Sequence, residues 1–131
     1  MYVAFAQAVA VVELATRAVA YVDLRRDVTT EGVDGLAWYR GDLIAVQTIA
    51  TMTRVVRFDL DASGRRVTAA DVLERARPGW RKPTTGAVVG DAFYYIAASG
   101  YDRLADDGAL APTTSPVATP IFRIDLTSRR R

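Results

Sequence analysis

Three segments of this chain end alike: Val11-Val12-Glu13-Leu14, Arg57-Phe58-Asp59-Leu60 and Arg123-Ile124-Asp125-Leu126. The first two lie 46 positions apart and the last two 66, the wider gap being stretched by an insertion over residues 101–119. A second landmark keeps step with the first. Gly41-Asp42-Leu43-Ile44-Ala45-Val46 recurs 49 positions later as Gly90-Asp91-Ala92-Phe93-Tyr94-Tyr95-Ile96-Ala97. A period in the high forties, with three or four strands in each unit, is the signature of β-propeller blades, the alternative being coincidence, since an apolar-acidic-Leu ending is common in strands.

The segments between these landmarks read as strands. Val, Ile and Thr make up 34 of the 131 residues, a load of β-branched side chains that suits a pleated, half-buried surface better than a helix. Apolar runs alternate with turn signals. Ala8–Leu14 and Val19–Leu24 flank a four-residue loop, and Gly35–Tyr39 and Leu43–Gln47 flank Arg40-Gly41-Asp42. Arg54–Leu60 faces Val67–Leu73 across Asp61 to Arg65, where Gly64 is placed for a left-handed conformation. Ala87–Val89 and Ala92–Ala97 flank Gly90-Asp91, and Pro120–Leu126 is a last strand after a Pro/Thr-rich loop over 112–120. Thr68 to Arg77 could open a helix that Pro78 and Gly79 would end, but its apolar pattern is too short to separate the two, and a strand is favoured. The expected fold class is all-β, built of antiparallel meander blades.

Composition narrows the chemistry sharply. There is no Cys, hence no disulfide, thiolate metal site or cysteine nucleophile, and no His, hence no Ser-His-Asp triad or imidazole ligand. Carboxylates, hydroxyls, Lys82 and hard cations remain. The net charge of +2 owes three positive charges to Arg129, Arg130 and Arg131, a short basic tail that reads as a solvated end; with no basic stripe interleaved by aromatics, nucleic acid is not an expected partner. No apolar run approaches the ~20 residues of a membrane-spanning helix. Met1 to Val12 is apolar but lacks a basic leader and runs into Glu13, so it is expected to belong to the fold.

Val33-Asp34-Gly35-Leu36-Ala37-Trp38, Gly41 to Gln47 and Arg54-Val55-Val56-Arg57-Phe58-Asp59 together resemble one blade of the regucalcin and gluconolactonase family of six-bladed β-propellers. Pro83 to Val89 with Tyr94 to Tyr101 is similar to that family's last blades. The resemblance implies that residues 1–128 form about three blades, half of a six-bladed ring. It also implies that Asp34 starts an innermost strand facing the central channel, where it would help hold a divalent cation, calcium (Ca²⁺) or zinc (Zn²⁺), and serve as a base in opening a sugar lactone. Thr84 and Thr85 occupy the place of Asp34 and Gly35 one unit later, and would line the channel and bind ligand hydroxyls. The family's other ligands, a Glu and an Asn, belong to earlier blades. Where related sequences often show Asn after the inner strands, this chain has Gln47-Thr48 and Ala97-Ala98-Ser99.

Two functions of different class follow. One is a metal-dependent lactone hydrolase completed by further blades. The other is a non-catalytic propeller segment that binds a ligand or partner. A lone carboxylate is a small part of the six to eight oxygens a calcium ion takes, and Asp34-Gly35 also reads as an ordinary turn leading into a strand, its carboxylate bonding nearby backbone N–H groups. Asp42, Asp61 and Asp91 read as hairpin-turn residues, and Asp106-Asp107-Gly108 lacks the ligand spacing of a calcium loop. Trp38, Trp80, Tyr94 and Tyr95 are expected in blade-to-blade packing, and Arg54 and Arg57 on solvated strand positions. Fewer than three full blades would leave open edges and an uncovered apolar face, which predicts closure by missing blades or by self-association.

Overall fold

Turn geometry sets the first constraint. Arg40 and Gly41 both take positive φ (48° and 98°), the two-residue reversal whose twist matches that of paired strands, and Gly64 at φ 68° sits in the turn between Leu60 and Arg66 as its sequence predicts. The computed structural model describes residues 1–5, 7–111 and 118–127. Among them are eleven strands and one 3₁₀ turn, with no α-helix. The Pro/Thr-rich loop over 112–117 and the basic tail 129–131 lie outside the described residues.

The strands form three sheets. β1 (Tyr2–Phe5), β2 (Ala8–Val12) and β3 (Val19–Tyr21) make the first, an antiparallel meander. β5 (Val33–Tyr39), β6 (Asp42–Ile49), β7 (Met52–Leu60) and β8 (Arg66–Arg75) make the second, and β4 (Asp23–Leu24) joins its outer edge parallel to β8. β9 (Gly86–Val89), β10 (Ala92–Ile96) and β11 (Ile121–Asp125) make the third. The all-β class is thus observed, and residues 68–75 are strand. The expected single strand Val19–Leu24 is instead broken. Val22 buries its side chain in the core and its N–H donates to Val9 O (3.0 Å), after which the chain leaves the first sheet and Asp23-Leu24 pairs with the second. That crossing makes one strand pairing parallel where the other strand pairings described are antiparallel, and an isolated bridge between Arg81 and Ala98 is parallel as well. β1 has no counterpart among the strands expected from sequence.

The sheets pack in chain order. Val9, with Tyr2, Ala4 and Val11 from the first sheet, closes on Leu43, Ala45, Val56, Phe58 and Val67 of the second. The opposite face of the second sheet, through Ile44, Val46, Val55 and Leu73, closes on Phe93, Tyr95, Phe122 and Ile124 of the third. The second sheet therefore presents alternate residues to two neighbours, as the period-2 side-chain alternation dictates. The leading strands meet as well: β5 lies against both β1 and β9.

Two expectations about side chains are corrected. Arg57 is not solvated; it is 3% exposed, and its Nη2 donates to Leu126 O (2.6 Å) with the guanidinium over the Tyr39 ring. Trp80 and Tyr95 do pack between sheets, and Trp38 stacks on Tyr2 at 5.7 Å, but Tyr94 sits on the outward face of the third sheet and is exposed.

Candidate functional site

The start of β5 is held by its neighbours rather than by its own side chains. A Cβ at Gly32 (φ 69°) would lie 1.9 Å from Thr48 O, so only glycine lets the chain pass there. Gln47, fully buried, then pins the approach: its Nε2 donates to Thr29 O (2.9 Å) and Glu31 O (2.6 Å), while its Oε1 accepts from Arg54 Nε (2.8 Å). Gln47 is thus spent on anchoring the segment ahead of Asp34.

Asp34 itself occupies an irregularity in the ladder. Val33 pairs with Gln47 and Gly35 with Val46, so Asp34 is the extra residue of a β-bulge, a feature that re-aims one side chain out of the regular alternation. It is exposed, and among the described residues its carboxylate has no hydrogen-bond or ion-pair partner. The expected turn role, a carboxylate bonding nearby backbone N–H groups, is therefore not the one it plays.

Next to it stands the second expected pair. A Cβ added at Gly35 would lie 2.5 Å from Thr85 Cα, so β5 and the segment leading into β9 touch backbone to backbone at this point. Thr84 N–H donates to Ile96 O and Thr85 O accepts from Ile96 N–H (both 3.1 Å), which extends the β9–β10 ladder past its formal end. Thr85 is exposed and Thr84 half-buried. The fold thus brings Asp34, Thr84 and Thr85 to one end of two neighbouring strands.

The donor set is thin for a metal. No group of three or more Asp, Glu, His or Cys side chains converges among the described residues, and neither His nor Cys occurs in the chain. Asp34 with two threonine hydroxyls falls short of the shell calcium takes, and a zinc centre built from protein ligands would need three groups that these residues do not bring together. The residues described do not fit a calcium or zinc site on their own.

A feature that the sequence reading missed adjoins this end. A cleft of about 430 Å³ opens between the β6–β7 turn and the segment after β8, lined by Thr51, Thr53, Arg75, Trp80, Lys82 and Pro83, with Met52 and Ala76 completing the wall. Lys82-Pro83-Thr84-Thr85 links it directly to the Asp34 end. Its one sequence signal was Lys82, the single lysine, and its assembly depends on turns whose conformation no motif announces. Asp91 was also read too simply. It accepts from the Tyr39 hydroxyl (2.8 Å) and pairs with Arg40 (2.8 Å), tying the second sheet to the third.

No family model, curated protein or solved structure matches this chain.

Proposed function

We propose that this chain is a segment of a regucalcin- or gluconolactonase-like β-propeller that acts as a binding module, not as a lactone hydrolase by itself. The observation that supports this most is the close approach of Gly35 to Thr85, with β1, β5 and β9 side by side and Asp34, Thr84 and Thr85 at one end of the last two. Leading strands of successive blades surround the channel in a propeller, and this is the neighbourhood they would have there. In such a ring, Thr84 and Thr85 offer hydroxyls to a polar ligand and Asp34 offers one unpaired carboxylate.

Hydrolysis asks for more. Asp34 as a base, or as a ligand to calcium or zinc that polarises a lactone carbonyl, requires further carboxylates around it, and these would have to come from other blades. Closure is the second part of the proposal. The face of the first sheet turned away from the core carries Val3, Phe5, Val19 and Tyr21, with the last two 67% and 72% exposed, and so large an apolar surface favours coverage by sheets of the same kind. Light scattering at micromolar concentration reads this, and a monodisperse monomer with cooperative melting would oppose it. A sugar-lactone assay with and without calcium or zinc tests the other half. Turnover that falls on Asp34→Asn would replace the binding module with a hydrolase.

A further inference from the structure

The cleft beside Trp80 is built of cations without counterions. Arg75 and Lys82 both line it, no Asp or Glu does, and among the described residues neither makes an ion pair. A third cation adds to the imbalance. Arg54 is the cross-strand partner of Arg75 in the β7–β8 ladder, and like charges set opposite each other on a sheet repel. The repulsion from Arg75 acts together with burial, the larger cause, to lower the pKa of Arg54 from its usual value. Arg54 spends its Nε on Gln47, which carries no charge to neutralise it.

The backbone around the cleft is also unusual. Three of the five described non-glycine residues with positive φ gather here: Ala76 (48°) and Lys82 (51°) in its wall, and Ala50 (52°) next to Thr51. Each such conformation is costly for a residue with a Cβ and persists where the surroundings enforce it, commonly around ligands. For Lys82 the enforcement is visible: Ser99 Oγ donates to Lys82 O (2.6 Å), and Arg81 is bridged to the end of the third sheet through Ala97 and Ser99. Trp80 is equally fixed, its Nε1–H donating to the Tyr95 hydroxyl (2.8 Å). The cleft thus combines a rigid indole, uncompensated cations and the hydroxyls of Thr51 and Thr53.

We propose that this cleft binds a small oxyanion-bearing molecule, a phosphorylated or carboxylated polyhydroxy compound whose anionic group meets Arg75 and Lys82 and whose body lies by Trp80. The oxyanion would supply the missing countercharge, and charge-assisted hydrogen bonds to Arg and Lys are the strong kind. The site is separate from the Asp34 carboxylate, which would repel such a ligand's charge, so it stands whether or not the propeller reading does.

The chain has two tryptophans, and Trp38→Phe leaves Trp80 as the sole indole reporter. In that background, inorganic phosphate, glucose 6-phosphate and glucuronate are titrated separately while tryptophan emission is followed. A saturable change, weakened by added salt and weakened about tenfold or more by Arg75→Gln or Lys82→Gln, is expected. Arg25→Gln, beside the start of β8 whereas Arg75 is at its end, should leave it unchanged. The stronger of the glucose 6-phosphate and glucuronate responses identifies phosphate or carboxylate as the group recognised. Melting provides a second readout: Arg75→Gln removes the Arg54 repulsion, so its melting temperature should equal or exceed that of the parent, while the ligand-induced rise is lost. Lys82 is exposed, so Lys82→Gln carries the test should Arg75→Gln fold poorly. No saturable change with any of the three probes, or one that survives both substitutions, overturns the proposal.

Discussion

Between the first and second sheets the contact is mainly aliphatic, Val9 and Val11 against Leu43, Ala45, Val56 and Val67 with Phe58 among them, and its directional links gather at Tyr2, which stacks on Trp38 and donates to Gly64 O (2.8 Å). Between the second and third it is aromatic and threaded with directional bonds. Tyr39 donates to Asp91, Arg57 to Leu126 O, Trp80 to Tyr95 and Tyr95 to Glu74, while Arg77 pairs with Glu74 (2.8 Å) and lies over the Phe122 ring (4.1 Å). Burial of apolar area is non-directional and tolerates repacking, whereas hydrogen bonds between partners far apart in sequence hold two sheets at one register. The difference coincides with position: the fastened interface is the one beside the Asp34–Thr85 contact and the basic cleft, where a displacement would change which groups meet.

The largest effect that separates the two interfaces is expected at Phe58, fully buried in the aliphatic one. Phe58→Ala should cost about 3–5 kcal/mol, the transfer term plus the cavity left behind. Denaturant unfolding measures it, and a loss below about 1.5 kcal/mol would mean that this interface collapses onto the gap as a soft packing does.

The fastened interface should respond to smaller changes of shape. Arg57→Met keeps most of the volume but leaves Leu126 O without its donor, an expected cost of about 1–3 kcal/mol. Among the described residues Arg57 Nε is buried without a hydrogen-bond partner, so part of that cost is offset by removing a poorly satisfied charge. A result at or below zero would show that the guanidinium serves register rather than stability. Glu74→Gln is the companion test, since it weakens both the Tyr95 and Arg77 contacts while retaining the side-chain shape.

Alkaline pH should act on both interfaces, through the Tyr2 phenol in the first, whose pKa is raised by burial and then Asp61, and through two phenols in the second. Burial and then the hydrogen bond to Glu74 raise the pKa of Tyr95, and burial and then Asp91 raise that of Tyr39. The neutral phenols are thus favoured in the folded state. Their contribution is complete below the ordinary tyrosine value of about 10 and is lost as pH rises through the raised folded-state values. Melting temperatures should fall above about pH 10, and Tyr95→Phe should flatten part of that fall. An equal decline in the variant would assign the alkaline loss to other groups.

How much of this was legible beforehand follows the range of the forces involved. The strands of the second and third sheets and the glycine-bearing turns were readable because alternation and Gly placement act over a few residues, as Arg40-Gly41 and Gly64 show, whereas the Ala50-Thr51 turn carries no such signal. The break at Val22 was not, since it depends on a buried contact with the first sheet and a pairing with Arg66 and Val67 more than forty positions away. Arg57 was misread for the same reason: its acceptor, Leu126 O, is 69 positions distant. Asp34, Thr84 and Thr85 were singled out through a family resemblance, and the structure places them at one end of two neighbouring strands. The bulge that exposes Asp34 and the Gln47 bonds that secure it arise from pairing across β5 and β6, which the local sequence does not encode.

The smallest expected effect belongs to Asp34 and is the most informative about function. An exposed bulge residue without a partner contributes little to folding, so Asp34→Asn should shift stability by no more than about 0.5 kcal/mol. That near-silence makes it a clean probe of binding, because a ligand that contacts the carboxylate in the folded state raises the melting temperature by mass action. With calcium or zinc added, the parent and the Asn variant are expected to melt alike, since one carboxylate and two hydroxyls leave most of a cation's shell to water. A metal-induced rise present in the parent and absent from Asp34→Asn would instead make Asp34 a ligand within an assembled site. It would then reopen lactone hydrolysis at this end of β5, while leaving the contrast between the two sheet interfaces untouched.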